Sequence, residues 1–217
     1  MKAILWDLDD TLLDTLPERM RALAYAYEVC LGSRTDPLAL WRSHRGGTIE
    51  SLGERLLGPD ARRFTDTYRE HYYSGTRPAR AFAGVAEVLD ELTARGIPMA
   101  VVTSKIAWVA VDELSRAGIL HNLGAVVGSD DTDHHKPDPQ PVYAALDRLL
   151  IDDVEDVAFV GDSPADIFAA RNAGCRSVAA TWGTLDEELL LDAAPDHAVR
   201  TPDAVLSLVR TLSEAAG

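Results

Sequence analysis

Apolar and polar positions follow two regimes along this chain. Residues 3–7, Ala3-Ile4-Leu5-Trp6-Asp7, form a short apolar run closing on an acid, the pattern of a buried strand. From about Pro17 to Ser74 the apolar positions recur at helical spacing (Met20, Leu23, Ala24, Tyr27; Leu52, Leu56; Phe64, Tyr68) with no strand-like run, which predicts three or four helices. Gly75-Thr76-Arg77-Pro78 reads as a linker. Beyond it the period alternates. Helices are expected at about 84–95, 105–117, 139–149, 164–173 and 202–213, and strands at 98–103, 125–128, 156–160, 176–180 and 197–199. Near-continuous apolar strands alternating with helices predict an α/β fold, a doubly wound, Rossmann-like parallel sheet covered on both faces. An all-helical domain, residues 15–79, is inserted after the first strand of a core made from 1–14 and 80–217.

Composition narrows the setting. At 217 residues and 47% apolar, the chain can bury a sizeable core and is not expected to be disordered. No apolar run is long enough to span a membrane, and Asp7 comes too early for a signal peptide. Cys30 and Cys175 cannot make a disulfide framework, so a reducing cytoplasm is the expected location. A net charge of −14 argues against nucleic acid or an anionic membrane as partner. It also means that an anionic substrate needs a locally positive site. Only three of the 21 basic residues are lysines, namely Lys2, Lys105 and Lys136.

Doubly wound sheets bind ligands beyond the carboxyl ends of their strands. There the sequence places Asp7-Leu8-Asp9-Asp10-Thr11, then Thr103-Ser104-Lys105, then a loop reaching Lys136-Pro137, then Gly161-Asp162-Ser163-Pro164-Ala165-Asp166. Asp7, Asp9 and Asp162 brought together repel one another unless a cation sits among them. Oxygen ligands without His or Cys favour Mg²⁺ over zinc. The cation, Lys136, the Thr103 hydroxyl and helices expected to begin at Ser104 and Ser163 would form an anion cradle, which resolves the charge conflict.

These four segments resemble the haloacid dehalogenase-like phosphatases. Asp7, Asp9 and Thr11 match the family's Asp-x-Asp-x-Thr motif, Thr103 its hydroxyl motif, and Lys136-Pro137 its lysine motif. Gly161, Asp162, Ser163 and Asp166 match its acidic motif. The motifs occur in order across essentially the whole chain, and the helical insertion is similar to the family's mobile cap. Arg171-Asn172-Ala173-Gly174 and Trp182-Gly183 most resemble the phosphoglycolate-phosphatase-like branch.

The resemblance implies a Mg²⁺-dependent phosphatase acting on a small-molecule phosphate ester through an aspartyl-phosphate. Asp7 is implied as nucleophile and Asp9 as general acid and then base. Asp7, the Asp9 backbone carbonyl and Asp162 would hold the metal, with Asp166 as an outer or water-mediated partner. Thr103, the Ser104 N–H and Lys136 would bind phosphoryl oxygens, and Thr11 would hold the nucleophile loop. Asp10 stands where the family often has Gly, and Asp tolerates such backbone better than most residues.

Among rivals, a phosphomutase would use the same motifs and return the phosphoryl group to a bound sugar. A phosphonate hydrolase would need a lysine in the insertion, and residues 15–79 contain none. A receiver-type signalling domain is shorter and lacks the helical insertion. Dehalogenases lack the second acid that Asp9 supplies. Elsewhere, Lys105 is expected to be a solvated first-turn residue, Asp10 and Asp14 surface acids, and His134-His135 loop residues. Cys30 and Cys175 are expected in the core, and Trp41, Tyr72 and Tyr73 in cap packing. His44-Arg45-Gly46-Gly47 breaks the helical pattern; Arg45, with Gly46, is either a substrate-facing pair or an ordinary solvated connection.

Overall fold

The computed structural model describes residues 1–44, 48–74 and 79–215. The chain divides into two compact units, one of residues 1–14 with 78–217 and one of residues 15–77.

The first unit is built on six parallel strands: β1 (Ala3–Trp6), β2 (Met99–Val102), β3 (Ala125–Val127), β4 (Val157–Gly161), β5 (Arg176–Ala180) and β6 (His197–Val199). Their order is β3-β2-β1-β4-β5-β6, the doubly wound arrangement that the alternating pattern predicts. β1 lies between β2 and β4, with Ile4 opposite Met99 on one side and Ala158 on the other. Strand order therefore reverses beside β1, and the crevice past the carboxyl ends of β1 and β4 is where such sheets take ligands.

Alternation along β1 feeds two separate cores. Ile4 and Trp6 pack on one face with residues of α5 (Val85–Ala94), α6 (Ala107–Arg116) and α10 (Pro202–Ala215). Ala3 and Leu5 pack on the other with residues of α7 (Gln140–Arg148) and α8 (Pro164–Ala173). Both faces are covered, which is why β1 is apolar throughout until Asp7.

Two differences from the sequence pattern stand out. Helix α6 starts at Ala107, because Ile106 is extended (φ −60°, ψ 135°) and residues 103–105 form a turn. A short helix, α9 (Glu187–Asp192), lies between β5 and β6 where none is predicted. It is less than two turns long and buries only Leu190, so it has no helical period to read; its signal is Asp186, whose carboxylate caps Leu189 N–H at 3.0 Å.

Among the described residues the second unit has four α-helices: α1 (Leu16–Leu31), α2 (Pro37–Ser43), α3 (Ile49–Leu57) and α4 (Ala61–Tyr73). Asp36 caps α2 and Thr48 caps α3. Leu23, Ala26, Leu52 and Phe64 form its core, and Trp41, Tyr68 and Cys30 pack against them. Gly53 lets α3 approach α4, since a Cβ there would come to 3.0 Å from the Ala61 carbonyl. Arg45 and Gly46, and the linker 75–78, lie outside the described residues. No helix among the described residues is long and apolar enough to cross a membrane.

Candidate active site

Asp7 is the first residue past β1, and its N–H continues the ladder to the Val160 carbonyl at 2.9 Å. The chain then turns tightly. Leu12 and Leu13 N–H both donate to the Leu8 carbonyl, Asp10 N–H donates to the Leu13 carbonyl, and Asp10 takes φ 62°. That left-handed backbone is the strain expected of a position often held by Gly, and Asp bears it at a cost of about 1 kcal/mol. Asp10 is nevertheless buried, which corrects its expected place on the surface. The reason is the segment after β5. Trp182 Nε1 donates to the Thr11 carbonyl at 2.9 Å, and a Cβ on Gly183 would run into the Asp10 carbonyl. Trp182 and Gly183 thus press the loop that carries Asp7, a role that their local sequence does not reveal.

Lys136 lies at the centre of the site. Its Nζ donates to Asp7 Oδ1 and Asp166 Oδ1, both at 2.6 Å, and to the Val102 carbonyl at 3.2 Å. It also stands 5.7 Å from the centroid of the Phe159 ring. Burial opposes its charge, but the Asp166 and Asp7 carboxylates outweigh that and hold its pKa well above the usual lysine value. Burial pushes the Asp7 carboxyl up to about 7, with Asp166 and Asp9 adding to the effect and Lys136 opposing it.

Asp162 follows β4 directly and accepts from Thr11 Oγ1 at 3.2 Å. Asp166, in the first turn of α8, reaches back so that its Oδ2 accepts from Ser163 N–H (3.1 Å) and Ser163 Oγ (2.6 Å). Gly161 is required here, because a Cβ would collide with the Asp166 side chain. Carboxylate oxygens of Asp7, Asp162 and Asp166 lie within 4.8 Å of one another. Three acids cluster while one ammonium bridges two of them. This all-oxygen donor set, with an excess of negative charge, fits a hard divalent cation such as Mg²⁺.

Thr103, past β2, is buried, donates its N–H to the Val127 carbonyl, and accepts Lys105 N–H on its Oγ1 at 3.1 Å. Ser104 is exposed in the turn and does not begin a helix, so no helix dipole acts there; Ser163 does cap its helix. Lys105 departs furthest from expectation. Its side chain is 8% exposed, with Nζ donating to Asp9 Oδ1 at 2.7 Å and to Glu113 Oε2. A solvated first-turn lysine is the wrong description, because α6 begins two residues later and the turn aims Lys105 inward. Glu113 was missed as well. Its signal is that it shares the apolar face of α6 with Val109, Ala110 and Leu114, all buried.

The chain matches the family model for haloacid dehalogenase-like hydrolases over residues 4–180. It is 34% identical to a phosphoglycolate phosphatase of Neisseria meningitidis over 99% of this chain and 93% of that one. It is also 34% identical to a provisionally named pyrophosphatase, PpaX, of Caldanaerobacter subterraneus, over 98% and 96% respectively. Its fold superposes on the crystal structure of a predicted phosphoglycolate phosphatase from Haemophilus somnus with a TM-score of 0.84, at 26% identity, covering 96% and 97% of the two chains. With four motifs meeting at one sheet edge and these relatives matched nearly end to end, the chain belongs to the haloacid dehalogenase-like hydrolase family, in its phosphoglycolate-phosphatase-like branch, and is a phosphatase-type hydrolase.

Proposed function

We propose that this hydrolase is a Mg²⁺-dependent phosphatase that cleaves a small phosphomonoester, phosphoglycolate or a close relative, through an aspartyl-phosphate on Asp7. The observation that carries the reading is the buried Asp7–Lys136–Asp166 array beside Asp162, past the ends of β1 and β4. Mg²⁺, held by Asp7, Asp162 and the Asp9 backbone carbonyl, would supply positive charge to the phosphoryl oxygens. Both oxygens of Asp166 already serve Lys136 and Ser163, so its part in holding the ion is indirect.

The side chains divide the work. An Asp7 oxygen attacks phosphorus, forming a P–O bond to the carboxylate as the ester P–O bond breaks. The Asp9 carboxyl gives its proton to the departing oxygen. Asp9 then takes a proton from the water that attacks the aspartyl-phosphate, releasing phosphate and restoring Asp7. Thr103 Oγ and Lys136 Nζ donate to the phosphoryl oxygens as charge builds. Thr11 steadies Asp162 and the nucleophile loop. The helical unit, residues 15–77, carries none of the four motifs and is assigned the selection of the leaving group. The two cysteines are free, consistent with a cytoplasmic setting.

Phosphate release from 2-phosphoglycolate, sugar phosphates, pyrophosphate and nitrophenyl phosphate, with Mg²⁺ and with EDTA, tests the proposal. The expected result is Mg²⁺-dependent release, fastest from a small phosphomonoester, and none from Asp7→Asn. Release from pyrophosphate alone, or isomerisation of a sugar phosphate without free phosphate, would replace it with a pyrophosphatase or a mutase.

A further inference from the structure

We propose that Lys105, anchored by Glu113, is the positioning residue that aims the Asp9 carboxyl at the leaving oxygen. The inference rests on the acid–base role given to Asp9 above. Lys105 is fixed at both its backbone and its tip. Its N–H donates to Thr103 Oγ1, and its carbonyl accepts Ser129 N–H at 2.9 Å. Gly128 packs against the same carbonyl and against the backbone of Ala107 so tightly that a Cβ has no room. From that fixed base the side chain reaches Asp9, 96 residues earlier in the chain, and ends between Asp9 Oδ1 and Glu113 Oε2.

A buried triad of two acids and one lysine is a poor device for stability alone. Desolvating the three charges costs several kcal/mol each, and apolar replacements of similar volume are often as stable. What the triad does provide is direction. The short Asp9 side chain has two rotatable bonds, and a charge-assisted bond from an immobile ammonium fixes where its carboxyl points. Glu113 neutralises none of the charge on Asp9; it holds the far side of the Lys105 ammonium, so that the ammonium itself stays aimed.

The test compares an alkyl ester, 2-phosphoglycolate, with nitrophenyl phosphate, whose leaving group needs little protonation. It uses full-length protein with Mg²⁺ and reads kcat/KM, which reports phosphoryl transfer to Asp7. Lys105→Met is expected to lower kcat/KM on the alkyl ester by about 10- to 100-fold and on nitrophenyl phosphate by less than about threefold. Glu113→Gln is expected to show the same selectivity at smaller size. The double variant Lys105→Met/Glu113→Gln, which does not leave Glu113 as an orphaned buried charge, should keep it. Equal losses on both esters, or no loss in a folded variant, would overturn the inference. Asp9→Asn is the reference: if it discriminates between the esters and the Lys105 variants do not, only the inference falls. If Asp9→Asn does not discriminate either, the acid–base reading of Asp9 falls, and the inference with it.

Discussion

Two buried lysines sit in the same unit, each between two carboxylates, and the proposed mechanism gives them different tasks. Lys136 bridges Asp7 and Asp166, one residue past β1 and one in the first turn of α8, and also touches the Val102 carbonyl and the Phe159 ring. Lys105 bridges Asp9 and Glu113, at the far end of the same short motif. Burial opposes the charge on both, and the neighbouring acids outweigh it in both. The ammonium of Lys136 lies against the proposed nucleophile and the proposed metal cluster, where negative charge collects. That of Lys105 lies against the group proposed to move protons. In the proposed mechanism, similar electrostatics thus serve charge stabilisation in one place and aiming in the other. The two should respond differently to chemistry even though they look alike in burial.

The largest contrast is expected from Lys136→Met. It removes a donor to the phosphoryl oxygens and leaves Asp7 and Asp166 facing each other, so turnover should fall by about 10²–10³-fold for alkyl and nitrophenyl esters alike. Stability should drop by about 3–5 kcal/mol in urea unfolding, as when one partner of a buried ion pair is removed. A loss confined to the alkyl ester would erase the contrast with Lys105. The pKa of Lys136 is held above its ordinary value of 10.5, so its stabilising contribution is complete at neutral pH. That contribution disappears only as pH rises through the elevated value.

A smaller effect is expected from Gly183→Ala. The new Cβ meets the Asp10 backbone carbonyl, which cannot move without shifting the Asp7–Thr11 loop. About 1–3 kcal/mol of destabilisation should follow, with activity on both esters reduced together. Unchanged unfolding and kinetics would show that the loop is not held from this side.

The smallest effect sharpens the account of the turn that carries Lys105. Asp131 accepts Gly128 N–H at 2.8 Å and pairs with Arg148 at 2.5 Å, tying down the loop that abuts Lys105. Burial, the largest single influence, raises its carboxyl, but Arg148 and the Gly128 N–H together outweigh it and leave it below the ordinary 3.8. A depressed folded-state value means that the carboxylate stabilises at neutral pH. The benefit fades as pH falls below 3.8 and through the depressed value. Asp131→Asn should cost about 1 kcal/mol at pH 7, with the difference from wild type narrowing in acid. A difference independent of pH would locate the effect in packing rather than charge.

The fold and the first of these lysines were readable in the sequence because both depend on local pattern. Apolar runs mark strands, and residues just past the carboxyl end of a strand in a doubly wound sheet face the crevice. Asp7, Thr103 and Asp162 are placed on one edge by that rule, and Lys136, in the loop after β3, and Asp166, in the first turn of α8, by their match to the family's motifs. The second lysine was not readable that way. Its direction depends on α6 starting at Ala107, with Ile106 extended just before it, and no periodic pattern marks that start. Two signs were nonetheless present: lysine is rare in this arginine-rich chain, and Glu113 occupies an apolar-face position of its helix. The burial of Asp10 and the short α9 were hidden for a related reason. One depends on Trp182 and Gly183 folding back over a loop near the N-terminus, and the other on a helix too short to show a period.

The central claim, covalent transfer of the phosphoryl group to Asp7, is tested most directly in Asp9→Asn with nitrophenyl phosphate and Mg²⁺. Without a base to activate water, the adduct should accumulate. Rapid-quench kinetics should show a stoichiometric burst of nitrophenol before a slow steady rate, and fragmentation of the tryptic peptide 3–19 should place a phosphoryl group on Asp7. Absence of both burst and adduct, or an adduct on any other residue, would contradict the account.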